Sequence, residues 1–286
     1  MKAAPPLSIG HCATLACLLE ATAPKVGNVH RGADFDGLTF TDFAVSAALI
    51  APAMESAAQI GVGRAVLHAI TATRSVVATN TNLGMALLIA PLAAVARSRR
   101  LTTASVSEVL QSLTADDSRL VYEAIRLAQP GGLGQAESMD VADGAPPSLL
   151  AAMQAAAARD QIAEQYATNF RLVLDRLLPG LITGRAKGWS LTEAIVHTQL
   201  ASLAEFGDSL IARKCGQELS QQAAARAARA LEAGSPGGEA YHAALADFDF
   251  WLRADGNRRN PGATADLIAA ALFAGLRDGL LPPPWN

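Results

Sequence analysis

Apolar residues recur along this chain in alanine- and leucine-rich windows of roughly 12 to 20 residues, and β-branched runs are scarce. Aromatic residues make up only 5% of the sequence, so the large flat side chains that favour sheets are thin throughout. The expectation is an all-α protein, a single large multi-helix domain over residues 1–286 whose polar inter-helix loops form the active site. At 286 residues the chain can bury about three quarters of its unfolded surface.

Helical windows fall near 7–22, 41–59, 61–77, 81–98, 105–127, 148–177, 190–206, 208–233, 237–254 and 261–279. Ser105 to Glu108 and Ser190 to Glu193 both fit S-x-x-E, in which hydroxyl and carboxylate satisfy each other's backbone N–H groups at a helix start. Asn260 before Pro261 suggests a capping side chain followed by a proline at the first helical position. The stretch 129–147, QPGGLGQAESMDVADGAPP, reads as a long loop between helices.

A formal net charge of -3 and the lack of a Lys/Arg run with interleaved aromatics argue against a nucleic-acid partner. No window of 18 apolar residues is free of a polar break, which argues against a membrane span. His11 and Glu20 interrupt the N-terminal apolar stretch, so it reads as an amphipathic helix and the cytoplasm is the expected location. Cys12, Cys17 and Cys215 are odd in number and lack zinc spacing, which fits buried small hydrophobes. A homodimer is compatible with all of this.

Four polar constellations interrupt the helix formers. The opening segment EATAPKVGNVHRGADFDG sets Lys25, Asn28, His30, Arg31, Asp34 and Asp36 among prolines and glycines. Asp34 and Asp36 could converge on one hard cation and Lys25 and Arg31 could meet phosphate, or the charges could cancel in a solvated loop. Thr79-Asn80-Thr81-Asn82 precedes an apolar run, offering more side chains than one helix cap needs where the helix dipole favours an anion, with Arg74 upstream. Glu205 and Asp208 would share a face if a helix ran through Gly207, to hold Mg²⁺ or serve as a base, or would form an acidic turn paired with Arg213. Arg258, Arg259 and Asn260 precede another helix start, as an anion site or a surface cap. The five histidines lack HExxH spacing, and no P-loop, GxGxxG after a strand, or GxSxG is present.

Taken together, these segments resemble the triphosphoribosyl-dephospho-CoA synthase family. Glu20 with Pro24-Lys25-Val26-Gly27-Asn28-Val29 is similar to its E…PKPG-L-V segment, followed by Asp34, Asp36 and a Phe-x-x-Ser at Phe43 to Ser46. Asn80-Thr81 and Gly84 resemble its N-T-H-K-G motif, Asp208 with Arg213 its D-x-N-x-x-x-R-G-G segment, and Asn260-Pro261-Gly262 through Asp266-Leu267 its S-P-G-G-S-A-D-L close. Asn82 and Leu83 stand where the family has histidine and lysine, Ser209-Leu210 lacks the asparagine, and Lys214-Cys215 interrupts R-G-G. The PGGLG loop and Arg159-Asp160…Gln165-Tyr166 resemble a divergent branch that includes members tied to methanopterin- or methanofuran-type carriers.

The resemblance implies a transferase that binds ATP and Mg²⁺ in cofactor biosynthesis. The 2′-hydroxyl of 3′-dephospho-CoA attacks C1′ of the ATP ribose, adenine leaves, and the triphosphate stays on the new ribosyl group. It implies Asp34, Asp36 and Asp208 for Mg²⁺ or general-base work. Lys25, Arg31, Arg213 and Arg259 would meet phosphates, and Asn80 and Thr81 would hydrogen-bond substrate, with Asn28, His30, Arg74, Asn82 and Asn260 beside them. The competing readings are a related ribosyl or nucleotide transferase of carrier biosynthesis and a non-catalytic helical binding or assembly protein.

Overall fold

The computed structural model describes residues 7–131, 141 and 144–285. In chain order the helices are α1 (Ile9–Thr22), α2 (Phe40–Leu49), α3 (Ala51–Glu55), α4 (Ala57–Ile60), α5 (Val62–Arg74), α6 (Leu83–Ala94), α7 (Thr103–Gln111), α8 (Ala115–Ala128), α9 (Leu149–Ala156), α10 (Gln161–Ala167), α11 (Leu178–Ala186), α12 (Leu191–Phe206), α13 (Ser209–Cys215), α14 (Gln217–Glu232), α15 (Glu239–Arg253) and α16 (Gly262–Arg277). A π-helical turn at Val173–Leu177 leads into α11. The protein is all-α: among the described residues the extended pairing is confined to two isolated bridges, His30 with Ala33 and Phe35 with Leu38. Most of the PGGLG loop lies outside the described residues.

Several long windows are broken into shorter helices, each for a local reason. The 105–127 window divides because Thr114 caps a new helix, its hydroxyl accepting from the Asp117 amide while Asp117 answers the Thr114 amide. The 148–177 window divides where the Asp160 carboxylate accepts from the Ile162 and Ala163 amides, and again where Asn169 and Phe170 take positive φ. Gly216, at φ 93°, separates α13 from α14. Helix α11 lies outside every expected window, because Pro179, Gly180 and Gly184 read as breakers. Proline is tolerated in a first turn. A Cβ at Gly184 would stand 2.8 Å from the Ala194 Cβ, so that glycine is what lets α11 lie close against α12.

The predicted box at Ser190 and Glu193 is present, with Ser190 N–H donating to the Glu193 carboxylate at 2.7 Å and Glu193 N–H to the serine hydroxyl at 3.1 Å. The one at Ser105 and Glu108 is corrected. Thr102 is the cap and Ser105 its partner three residues on, while Glu108 faces solvent and pairs with Arg99. At Asn260 the expectation is also corrected: Pro261 takes the cap position and the Asn260 side-chain oxygen makes no hydrogen bond.

Helices α6 and α16 are buried nearly all round, as helices enclosed by their neighbours rather than laid on a surface. They pack on each other, and α1 lies against α16 with Cys12, Ala13, Ala16 and Cys17 turned inward. Arg277, buried at the end of α16, donates to the carbonyls of Val95, Ala96 and Arg99 and pairs with Asp278. That fixes the C-terminal ends of both core helices. A second, smaller apolar cluster joins α12, α14 and α15 to Val26 of the opening segment.

Candidate active site

At their opposite ends, α6 and α16 bring their first turns together. The Asp266 carboxylate, one turn into α16, accepts from the Met85 amide in the first turn of α6. Gly84 makes this approach feasible, since a Cβ there would stand 2.0 Å from Asp266 Oδ2. Burial pushes the Asp266 carboxyl well above the usual carboxylate range, and the charges of Glu20, Asp208 and Asp160 push it further.

Two cavities meet at this carboxyl. One, of about 520 Å³, is walled by Leu87, Tyr122, Ile125 and Met153, with Arg159, Asp160 and Arg213 at its polar side. The other, of about 440 Å³, is polar, lined by Glu20, Asn28, Arg74, Thr81, Asn82, Lys214 and Asn260. Asn80, Leu83, Gly84 and Asp266 line both, so the cavities are two lobes of one cleft.

The lining is held by specific bonds. Asn80 Oδ1 accepts from the Leu83 amide at 3.1 Å, and the Thr81 hydroxyl lies 2.6 Å from that of Ser46 on α2. Asn82 donates to the Thr73 hydroxyl at 3.0 Å, while its Oδ1 is buried without a partner, as is Asn260 Oδ1. Gln199, wholly buried on α12, accepts from the Val26 amide and donates to the Val26 carbonyl and to Asn28 Oδ1 at 2.8 Å, clasping the opening segment against the bundle. Asn28 Nδ2 in turn reaches the Pro261 carbonyl.

Asp208 is a joint between helices. One carboxylate oxygen accepts from the Leu210 and Ile211 amides at the start of α13, and the other from the Thr264 amide and hydroxyl, both at 2.8 Å, at the start of α16. Burial raises its pKa, and those hydrogen bonds oppose the rise.

The sequence profile of the ATP:dephospho-CoA triphosphoribosyl transferase family matches residues 6–282, nearly the whole chain. The chain belongs to this family. It is a transferase, and the reaction is triphosphoribosyl transfer from ATP to dephospho-CoA. A crystal structure from Archaeoglobus fulgidus, provisionally assigned as a triphosphoribosyl-dephospho-CoA synthase, shares the fold with a TM-score of 0.64. The two are 24% identical, over 82% of this chain and 99% of that one. No curated protein gives a match.

Of the transferase residues expected from sequence, the cleft lining gathers Asn28, Arg74, Asn80, Thr81, Asn82, Arg213 and Asn260. Arg74 also donates to the carbonyls of Val77 and Ala78, and Arg213 pairs with Asp160 at 3.0 Å. Lys25 is fully buried in an ion pair with Glu20 at 2.8 Å and does not line either lobe. Arg31, Asp34 and Asp36 are exposed in the bridged loop, where Asp34 accepts from the Phe40 amide at the start of α2. His30 accepts from the Gly32 amide, and burial lowers its pKa. Arg259 lies over the Trp251 ring, 4.5 Å from its centroid, and donates to the Trp251 carbonyl.

The α12 helix ends at Phe206, with Gly207 at φ 67°, so Glu205 and Asp208 do not share a helix face; Glu205 pairs with Arg176 rather than Arg213. Among the described residues no group of three or more His, Cys, Asp or Glu side chains converges as a metal cage.

Asp266, Glu20 and Lys214 line the cleft without being among the site residues expected from sequence. The signal for Asp266 was available in Gly84: a glycine at the start of an otherwise bulky apolar helix marks a close approach by another group. Lys214 interrupts a motif in the sequence, and only the fold brings it into the lobe that Asn80 lines.

Proposed function

We propose that the two-lobed cleft is where ATP meets dephospho-CoA, with the donor lying across the junction. The observation that carries this reading is that lobes of opposite character meet at Asp266 and Asn80. The bond to be broken joins a flat, weakly polar base to a ribose carrying a polyanion. With adenine against Tyr122, Ile125 and Met153, and the triphosphate in the polar lobe, that bond falls at the junction.

Departure of adenine from C1′ develops oxocarbenium character on the ribose and negative charge on the base. Asp266, held protonated by burial and by neighbouring carboxylates, would donate its proton to the leaving base and be restored, through solvent, by the proton that the attacking 2′-hydroxyl loses. Asn80, fixed by the Leu83 amide, would orient the ribose. The N-terminus of α6 lies at the same place, its dipole favouring the phosphates.

Mg²⁺, when bound, supplies charge neutralisation to the triphosphate. The residues present suit it, since the polar lobe includes two residues, Asn82 and Asn260, with buried, unpartnered amide oxygens. Mg²⁺ takes few protein oxygens and shares itself with phosphate and water. Those two side chains are its holders in this reading.

The test is release of free adenine from ATP, dependent on dephospho-CoA, by the purified chain and by Asn80→Ala. Loss of at least about tenfold in kcat/KM for the variant with unchanged circular dichroism is the expected result. Wild-type kinetics for Asn80→Ala would remove the ribose assignment.

A further inference from the structure

Two cations line the polar lobe, Arg74 and Lys214. Arg74 is engaged by the Val77 and Ala78 carbonyls that end its own helix. Lys214, in the last turn of α13, is half-buried, and among the described residues its ammonium has no hydrogen-bonding or ion-pairing partner. The Asp208 carboxylate acts on this ammonium from a distance without pairing with it, so a half-buried charge is left to be met by an arriving anion. Consistent with this, burial lowers the Lys214 pKa.

Its surroundings fit one class of anion. Asn80, Thr81 and Asn82 share the lobe with it, together with the first turn of α6, whose dipole is positive at that end. Leu83, also on that lining, is apolar, so α6 itself brings no cation to the lobe. Beside the engaged Arg74, the lobe's cation is therefore Lys214 on α13, whose start is fixed to the start of α16 by Asp208. A lysine is a compact point charge that follows a phosphate wherever it sits, which suits it to a polyphosphate more than to a planar carboxylate.

We propose that Lys214 is a substrate-specificity residue of this transferase, its ammonium neutralising a phosphate group of a bound substrate in the polar lobe. The proposal rests on the cleft reading given above. Its place on α13 rather than on α6 makes it a feature of this chain's own arrangement, with the apolar Leu83 lining the same lobe. The phosphate can belong to the triphosphate of ATP or to the diphosphate of dephospho-CoA, and kinetics separate the two.

The experiment measures adenine release while ATP and dephospho-CoA are varied in turn, for the full chain and for Lys214→Ala, Lys214→Arg, Leu83→Lys with Lys214→Ala, and Asn80→Ala. Lys214→Ala should raise one KM on the order of tenfold while kcat stays within about threefold. Lys214→Arg should recover most of that loss, and Leu83→Lys should recover part of it from α6. A raised KM for ATP assigns the triphosphate, and a raised KM for dephospho-CoA assigns the diphosphate. Unchanged KM values in a folded Lys214→Ala enzyme, with Asn80→Ala defective, overturn the proposal and leave the cleft reading standing. Wild-type kinetics in both variants overturn the two together. Isothermal titration of inorganic tripolyphosphate into wild type and Lys214→Gln gives an independent readout: equal affinities count against Lys214 as a triphosphate ligand.

Discussion

Gly84 and Asp266 act as a pair, one leaving out a side chain so that the other can reach a helix N-terminus. Gly84→Ala puts a methyl group where the carboxylate sits and must push Asp266 out of register. Misplacing a reacting group by about 1 Å can lose on the order of 100-fold in rate, so Gly84→Ala should lower adenine release by about that factor while the helical circular dichroism stays intact. The same carboxyl sets a pH signature. Its folded pKa lies above the ordinary 3.8, so the native state binds the proton more tightly than the unfolded state does. Its contribution to stability is therefore fully present below about 3.8 and is lost as pH rises through the raised value. Asp266→Asn should remove that loss, and thermal melts of the variant from acid to neutral pH should decline less steeply than those of the wild type.

At the scale of elements, the site depends on how three helix N-termini are tied together. Asp208 caps α13 with one oxygen and α16 with the other, and both helices contribute to the cleft. Asp208→Ala leaves those buried donors without acceptors and should destabilise the protein by about 3 kcal/mol in denaturant unfolding. Asp208→Asn retains an acceptor oxygen and should cost about half as much. The carboxylate was legible in the sequence as an important residue of a motif, but its hydrogen bonds were not. A cap supplied from Asp208 to Thr264 crosses from one segment of the chain to another, and no local spacing rule describes it. Local rules succeeded where cap and helix adjoin, as at Ser190. They failed at Ser105, where Thr102 three residues earlier was the better-placed hydroxyl.

For the whole molecule, helical class followed from composition, because alanine and leucine windows leave nothing from which to build a sheet. Helix count did not, since breaks at Gly216, Thr114 and Asp160 fall inside continuous apolar patterns. The cleft was legible in part: the Asn80 to Asn82 segment and Asn28 share a lobe, since too many polar side chains at one helix start mark a surface facing something other than water. The charges of the opening segment misled in the opposite direction. Lys25 is spent on Glu20, and Arg31, Asp34 and Asp36 face solvent, because a short bridged turn carries them away from the bundle.

Whether triphosphoribosyl transfer takes place at the junction of the two lobes is decided by single-turnover adenine release with ATP and dephospho-CoA in wild type and Asp266→Asn, followed across pH. The wild-type rate should fall as pH rises through the raised carboxyl pKa, and Asp266→Asn should be slower by about 100-fold or more with no such pH dependence. An Asp266→Asn enzyme that releases adenine at the wild-type rate, with the same pH profile, would contradict it.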